Sequence, residues 1–583
     1  MNLIAQTPNT VSNSIIEFQL RLFKTPCLIT IFLWLILAIL TTLPKWLRAD
    51  TQSDETPTIL ASARFLNQST LGFTESDVDF VSNNGMHYWL IQQFSKPATT
   101  TQPYIDYLAS RVAQDLSEPN RNFHYHKVKS AGNNVGYKNL STAWMRAVIG
   151  GDDALRQRVA WALSQILVTS TKTNKMAQGM SNYYDLLLYN AFSKYEDLLI
   201  SVTYHPVMGR YLSYMGNRKA NPKKNRYPDE NFAREIMQLF TIGLWQLNSD
   251  GTRVLDIDGE PVPTYSNADI TELARVFTGF WLPNTRFGRM DWSKFDEPMS
   301  ISLSQHDEQS KEALNGYITV PKNLNPDNEI EYVIRRLARH PNTAPFISRK
   351  LISHLVTSNP SSSYVQRVSA IWKKTDGLLK DVITAILLDP EARESQFSTA
   401  SHFGRLKDPI LRLTNLLIGF NCASDLGTQP SDYPGLQWWH PDTAQIFYQA
   451  PMRAPSVFNF FESTYSRPGP IANQRLVSPE FQILNDASAA TVPNYLWRGL
   501  TTGFHTPLKK STSGNLTCDL SSYRDLSTNS LIDKANLVLA GGTLDKSSKE
   551  AIIKVIDDQP ESIDRVISII FAVAISPAAA IQR

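Results

Sequence analysis

Glu235, His306 and Asp307 are the side chains in the middle of this 583-residue chain whose types could support catalysis or metal binding. Glu235 lies in the segment DENFAREIMQLFTIGLW, which has the spacing of an amphipathic helix. On a helical wheel it falls between Leu239 and Ile242, inside the apolar stripe. A buried and unpaired carboxylate is costly, so Glu235 is expected to have a cation, hydrogen-bond donors, a metal ion or a proton beside it.

His306 and Asp307 are adjacent in a stretch, residues 283–326, that is rich in Asn, Asp, Pro and Gly. Such a composition predicts a long irregular excursion, and binding residues are often found in loops of this kind. An imidazole and a carboxylate could supply one or two ligands of a divalent metal ion, with Glu235 completing the site. In the alternative interpretation, Asp307 caps a turn and His306 is solvated.

Glu235 also has a structural interpretation, as one half of an ion pair that holds the central helices together. Arg275, in the following segment YSNADITELARVFTGFW, is the nearest candidate partner, although its own helix places it off the apolar face. Glu230 and Arg234 are spaced i,i+4 with the acid first, which predicts a surface pair. Between the two predicted helices, the sequence LNSDGTRVLDIDGEPVPT is typical of a hairpin.

Two further segments are candidate binding surfaces. The run NRKANPKKNRYP carries five positive charges directly before the central helix, three of them on Lys223, Lys224 and Arg226. An anionic glycan, a lipid headgroup or an acidic partner could dock there, or the run could be a solvated loop. The loop LQWWHPD contains Trp438 and Trp439, which could stack on sugars, or pack into the core of a large helical protein.

The familiar catalytic signatures are absent from the sequence. It contains no G-x-S-x-G, H-E-x-x-H, C-x-x-C, Walker A or G-x-G-x-x-G motif. Common hydrolase, zinc-protease, redox and nucleotide-binding functions therefore lack their usual signals, and the sequence identifies no cofactor.

Charge and cysteine content narrow the class of protein further. A formal net charge of +3 is close to balance for this length and argues against a general nucleic-acid surface. The three cysteines, Cys27, Cys422 and Cys518, are too few for a disulfide scaffold. In an oxidising compartment Cys422 and Cys518 could pair, but sequence alone does not show whether they are close together.

The N-terminal region contains an uncharged, Leu- and Ile-rich run over residues 25–44. As a helix it would be about 30 Å long, which is the thickness of the hydrocarbon core of a bilayer. A cleaved signal peptide is the alternative, but the sequence around Ala49 is a poor cleavage site. We interpret the run as an uncleaved signal-anchor, with the bulk of the chain outside the cytoplasm, in the periplasm.

Apolar residues recur at three- and four-residue spacing along most of the remaining chain, so we predict a mainly α-helical ectodomain with a small β-hairpin and long irregular loops. The predicted organisation is a short N-terminal tail, a transmembrane or signal helix, a linker, a helical domain and a C-terminal helical extension packed on it. These cover residues 1–24, 25–44, 45–57, 58–500 and 501–583.

Several long segments resemble one bacterial family, the domain of unknown function 1800 (DUF1800), over roughly residues 60–500. The matching segments are RFLNQSTLGFT, ENFAREIMQLFTIG, YSNADITELARVFTGFW, HDEQSK, LARHPNTAPFISRKLISHLVTSNP, GRLKDPILRL and APSVFNFFESTY. The resemblance implies an exported, mostly helical protein, often encoded beside an exported protein with a sulfatase-like fold. It implies no activity.

Three hypotheses of function follow. The preferred one is a non-catalytic envelope protein that binds, assembles or helps to export a partner, because catalytic signatures are missing and the resemblance implies an exported neighbour. The second is a metal-assisted hydrolase of the cell envelope that uses Glu235, His306 and Asp307. The third is a glycan-binding module built from the aromatic loops and the basic run.

Overall fold

Helices form where the apolar spacing predicts them, and several of them begin at a side-chain cap. The computed structural model describes residues 57–107, 137–400, 402–424, 443–504, 516–560 and 564–583. The sequence Thr74-x-x-Asp77 before an apolar run predicts a capping box, and the two side chains form one at the start of a helix; Gly85 separates that helix from the next. The sequence signals for helix boundaries are confirmed there.

The first half of the chain contains ten α-helices among the described residues. They are α1 Ile59–Ser69, α2 Glu75–Asn84, α3 Met86–Ser95, α4 Tyr137–Gly150, α5 Ala154–Ile166, α6 Ala177–Tyr189, α7 Tyr195–Tyr204, α8 Pro206–Tyr211, α9 Asn231–Gln238 and α10 Asn267–Val276.

The second half continues in the same way within the described ranges. Its helices are α11 Pro326–Ala338, α12 Thr343–Leu355, α13 Ser362–Lys374, α14 Leu379–Leu387, α15 Pro390–Arg393, α16 Ser395–Ser398, α17 Pro409–Gly419, α18 Thr443–Ile446, α19 Pro470–Asn473, α20 Asp486–Thr502, α21 Thr528–Ala540, α22 Lys546–Asp557, α23 Arg565–Ile575 and α24 Pro577–Ala580. The mainly helical class is confirmed.

Short strands are more numerous than the single predicted hairpin. Four antiparallel two-stranded sheets occur in the described residues, pairing β1 with β2, β3 with β4, β5 with β8 and β6 with β7. The strands are β1 Phe280–Trp281, β2 Ser300–Ile301, β3 Lys311–Ala313, β4 Ile318–Val320, β5 Arg405–Leu406, β6 Cys422–Ser424, β7 Leu516–Cys518 and β8 Ile581–Gln582. Two of these sheets involve the excursion over residues 283–326, which is therefore less irregular than predicted.

The segment between α9 and α10 makes two tight turns rather than one hairpin. Antiparallel bridges join Leu247 to Arg253 and Leu255 to Pro261, and an outer bridge joins Trp245 to Pro263. Gly251 and Gly259 have positive φ angles of 78° and 82° in these turns. The Ser-Asp-Gly and Asp-x-Asp-Gly sequences each make a turn, which is the role that their composition predicts.

One large apolar core joins helices from both ends of the described chain. The C-terminal apolar run forms α23, which packs against α21 and α20. No helix among the described residues is long and apolar enough to cross a membrane. The predicted membrane segment, residues 25–44, lies outside the described residues.

The C-terminal region is fastened to the rest of the core at two points. Cys422 and Cys518 are paired residues of β6 and β7, and they form a disulfide bond. Strand β8 pairs with β5, and the buried side-chain amide of Gln582 donates to the carbonyl of Leu355 at 2.5 Å. The last residues of the chain are therefore part of the core.

Candidate binding site

The central helix α9 buries the carboxylate that the wheel places in its apolar stripe. Glu235 is 6% exposed, and its Oε2 atom has no hydrogen-bond partner among the described residues. Glu230 and Arg234 lie on the other side of the helix as a half-exposed pair at 3.5 Å, as predicted. The helical periodicity of this segment is confirmed.

The electrostatic neighbours of Glu235 are Lys350 and Arg234. Burial raises the pKa of Glu235, and the charges of these two cations offset part of that rise. Burial lowers the pKa of Lys350 to about 8, while the negative charge of Glu235 acts in the opposite direction. The Nζ atom of Lys350 donates to the carbonyl of Leu239 at 3.1 Å, which anchors α12 to the end of α9.

Arg275 binds Asp307, so the expected pairing of Glu235 with Arg275 is wrong. The Nε and Nη2 atoms of Arg275 donate to the two carboxylate oxygens of Asp307, each at 3.1 Å. A third contact runs from Nη1 to Glu272 at 2.7 Å. The physical reason is the position of Arg275 off the apolar face of α10, which directs its side chain towards the excursion and away from α9.

His306 points in a different direction from its neighbour Asp307. The imidazole is fully buried, its Nδ1 atom is 2.9 Å from the carbonyl oxygen of Thr278, and Nε2 is 3.5 Å from Glu329 on α11. The same carboxylate of Glu329 lies 2.8 Å from the buried ammonium group of Lys311. His306 therefore docks the excursion onto α11, and Asp307 docks it onto α10.

The three residues of the hypothetical metal site thus have separate partners. Among the described residues, which include Glu235, His306 and Asp307, no group of three His, Cys, Asp or Glu side chains is placed to hold a metal ion. The interpretation of His306 as a solvated side chain is also wrong, because the imidazole is fully buried. His306 and Asp307 therefore hold the excursion against two helices, α11 and α10.

The basic run, in contrast, borders an open pocket of about 400 Å³. Arg226, one of the predicted binding residues, lines it together with Arg218 from the start of the run. Lys223 and Lys224 lie on an exposed 3-10 turn, Pro222–Lys224, outside the pocket lining. The complete lining is Ser213, Met215, Gly216, Asn217, Arg218, Arg226, Tyr227 and Asp229.

The cations of this run are not neutralised within the described part of the chain. None of the five lies within 4.0 Å of a described carboxylate. We call this surface the basic face; its cations are Arg218, Lys219, Lys223, Lys224 and Arg226.

The model of a protein family of unknown function, DUF1800, matches residues 64–579. The chain belongs to the DUF1800 family. The match passes residue 500, so the C-terminal helices are part of the DUF1800 region. No curated protein and no solved structure matches the chain.

A buried network of charges in this DUF1800 protein could not be recognised from the sequence. Arg405 is at its centre: Nη2 lies 2.8 Å from Asp408 and 2.6 Å from Glu480, and Nη1 donates to the carbonyl of His354 at 2.6 Å. The indole of Trp161 donates to Asp408 at 2.6 Å. These residues come from α5, α12, the segment from β5 to the start of α17, and the 3-10 helix Pro479–Gln482, so the network joins four segments that are distant in the sequence.

Arg158 adds a second buried guanidinium to this network. It donates to the same carbonyl of His354, while its Nε and Nη1 atoms have no hydrogen-bond partner among the described residues. Burial is the main cause, and the positive charge of Arg405 the second cause, of a lowering of the pKa of Arg158 to about 9. Arg405 and Asp408 both lie in the segment GRLKDP, so the sequence contained part of the network in one place. Nothing in the sequence near Arg158 or Glu480 indicated that these residues pack against that segment.

Trp438 and Trp439, the predicted sugar-stacking residues, lie outside the described residues. The surrounding aromatic loop is described from Thr443 onward, where Phe460 and Phe461 are buried and Phe458 is half exposed. Phe460 and Phe461 therefore belong to the core, whereas Phe458 does not. The basic face and its pocket are the site that we carry forward.

Proposed function

We propose that this DUF1800 protein is an exported, membrane-anchored and non-catalytic factor that binds an acidic partner of the cell envelope on its basic face. The observation that carries the proposal is the absence of described carboxylates within 4.0 Å of the five cations of that face. Unpaired like charges around a concave surface raise the local concentration of an oppositely charged partner.

Two observations support export. The run over residues 25–44 is long and apolar enough for a signal-anchor. Cys422 and Cys518 form a disulfide, and structural disulfides persist in oxidising compartments such as the periplasm. The family resemblance implies an exported protein with a sulfatase-like fold as the candidate partner.

The test is affinity purification of the full-length chain from its own membranes. The tag belongs at the N-terminus, because Gln582 is buried and the carbonyl of Arg583 accepts a hydrogen bond from Gln68. At low salt we expect one protein in stoichiometric amount, and we expect its recovery to fall steeply as salt is raised. Failure to recover any protein at low salt would overturn the proposal.

A charge-reversed variant locates the binding surface. Lys223→Glu with Lys224→Glu should abolish capture, because both side chains are exposed and neither makes a described ion pair. The matched control, Lys546→Glu with Lys554→Glu, makes the same change in charge on the exposed surface of α22. Equal loss in the two variants would show that net charge, and not the basic face, governs binding.

A further inference from the structure

The charged donors that line the pocket in the basic face are two guanidinium groups, those of Arg218 and Arg226. The other strong polar groups of its lining already have partners: the side chain of Asn217 accepts from the backbone N–H of Asp229 at 2.9 Å and donates to its carbonyl at 3.3 Å. The backbone N–H of Gly216 donates to Phe280 at 2.9 Å. Asp229 accepts from the backbone of Asn231 at 2.9 Å.

Arg226 contributes a buried donor that has no acceptor. Its backbone pairs with Asn221 in an isolated bridge, which closes the turn carrying Lys223 and Lys224. The Nε atom of Arg226 is buried and has no hydrogen-bond partner among the described residues. Arg226 lines the pocket, and no described hydrogen bond uses its guanidinium group, so its terminal N–H groups are available to an anionic ligand there.

Arg218 is held in place without using its hydrogen-bond donors on a carboxylate. Its guanidinium carbon lies 5.0 Å from the centre of the Phe287 ring, which itself packs against Trp281. Stacking of this kind fixes the plane of the guanidinium while leaving its N–H groups at the edge available. Arg218 is therefore preorganised at the wall of the pocket.

The charge of the lining favours a single anionic group. Two guanidinium groups, Arg218 and Arg226, oppose one carboxylate, Asp229, which leaves one net positive charge. The exposed ring of Tyr227 borders the pocket, and about 400 Å³ is enough for a small group together with the atoms that carry it. Planar guanidinium groups bind carboxylates and phosphates through two parallel hydrogen bonds.

We propose that this pocket holds one oxyanion, a carboxylate or a phosphate, of the acidic partner, with Arg226 as its main hydrogen-bond donor and Arg218 as a second. The inference rests on the proposed function, because it names the chemical group that the basic face recognises. It adds that recognition is local and saturable, whereas the exposed lysines of the turn act through long-range attraction.

The test uses the full-length protein in detergent, titrated with N-acetylglutamate and, in a separate arm, with inorganic phosphate. Isothermal titration should give one site per chain for at least one of the two probes, and the arm that binds identifies the group. Arg226→Gln should weaken that binding by about tenfold or more, since it removes a charge-assisted donor. Arg218→Gln should weaken it less.

Lys554→Gln is the matched control, because it removes the same charge from an exposed position on α22, outside the basic face. It should leave probe affinity within about twofold, since an exposed charge beyond the pocket acts mainly through screened attraction. Thermal melting of each variant shows whether it is folded, and Arg226→Lys provides a second variant that keeps the charge but loses the planar fork.

The outcomes separate the two proposals. If neither probe binds, or if Arg226→Gln and Lys554→Gln weaken binding equally, the pocket inference is wrong. The proposed function then still stands if the full-length chain captures its partner in a salt-dependent way. If capture is absent as well, both proposals are wrong.

Discussion

Arg275 and Asp307 are joined by two parallel hydrogen bonds, from Nε to Oδ2 and from Nη2 to Oδ1, each 3.1 Å long. The pair connects helix α10 to the excursion that follows it. Both side chains are mostly shielded from solvent, with 20% and 12% exposed. Two-bond guanidinium–carboxylate pairs of this kind fix orientation as well as distance.

Asp307→Asn should lower the free energy of unfolding by about 1–3 kcal/mol, because it removes a charged acceptor while the guanidinium stays partly buried. Urea denaturation of the full-length chain measures this change. Glu230→Gln is the control, since it breaks the half-exposed pair with Arg234 and should cost no more than about 0.5 kcal/mol. Equal effects of the two variants would contradict a structural role for the Arg275 pair.

The same pair should make the free energy of unfolding depend on pH in the acid range. Burial alone would raise the pKa of Asp307, but the hydrogen bonds from Arg275 and from the backbone of Gln309 outweigh it and lower the pKa. A carboxyl group with a lowered folded pKa stabilises the protein above its unfolded pKa, and that stabilisation is lost as pH falls through the folded pKa. Asp307→Asn should therefore reduce the acid dependence of unfolding below about pH 4.

Gly279 allows the excursion to pass close to His306. Its φ angle is 90°, and an added Cβ atom would lie 2.9 Å from the carbonyl oxygen of Ser302 and 3.1 Å from the Cβ atom of His306. Gly279→Ala should cost the strain of a positive φ, about 1–2 kcal/mol, and a steric clash in addition. Gly259→Ala has a similar φ of 82° with nothing within 4 Å, so it should cost the strain alone. Equal losses in the free energy of unfolding would show that the contact with His306 is not tight.

Arg405 is the cation on which the buried network depends. Arg405→Met would leave Asp408 and Glu480 without that partner in the core, and removal of one member of a buried pair typically costs about 3–5 kcal/mol. The control Lys546→Met breaks an exposed pair with Glu550 and should change the free energy of unfolding by about 0.5 kcal/mol or less. If Arg405→Met were as mild as the control, the network would not be a determinant of stability.

Lys407 should make the free energy of unfolding depend on pH in the alkaline range. Its ammonium group is buried and donates to the carbonyl of Leu539 at 2.9 Å. Burial is the main cause, and the positive charge of Arg412 the second cause, of a lowering of its pKa from 10.5 to about 7. Between these two values the unfolded chain binds more protons than the folded one, so stability rises with pH over that window. Lys407→Met should flatten the rise in a series of urea titrations from pH 7 to 10; an unchanged slope would assign the dependence to other groups.

The features that the sequence predicted correctly are those that depend on local periodicity. The helical class, the capping box at Thr74 and the burial of Glu235 all depend on residues within one or two turns, and each is confirmed. The basic run was also visible, because its charges are contiguous in the chain.

The sequence did not predict contacts between distant segments. Arg275 and Asp307 are 32 residues apart, and Arg405 and Glu480 are 75 apart, so no helical wheel relates them. His306 and Asp307 are adjacent in the sequence, yet their side chains have different partners: His306 contacts Thr278 and Glu329, and Asp307 binds Arg275. Pairing between distant charges depends on the packing of the whole fold, which local patterns do not contain.

The bond between Cys422 and Cys518 provides the last prediction, which concerns both stability and compartment. The two cysteines are 96 residues apart, and a cross-link of that length strongly restricts the unfolded chain. The double variant Cys422→Ser with Cys518→Ser should lower the free energy of unfolding by about 2–5 kcal/mol. Peptide mapping without reduction, on protein taken from its own cell envelope, should recover the linked peptides. Recovery of free thiols at both positions would contradict export to an oxidising compartment, because a disulfide so placed in register between β6 and β7 would form there.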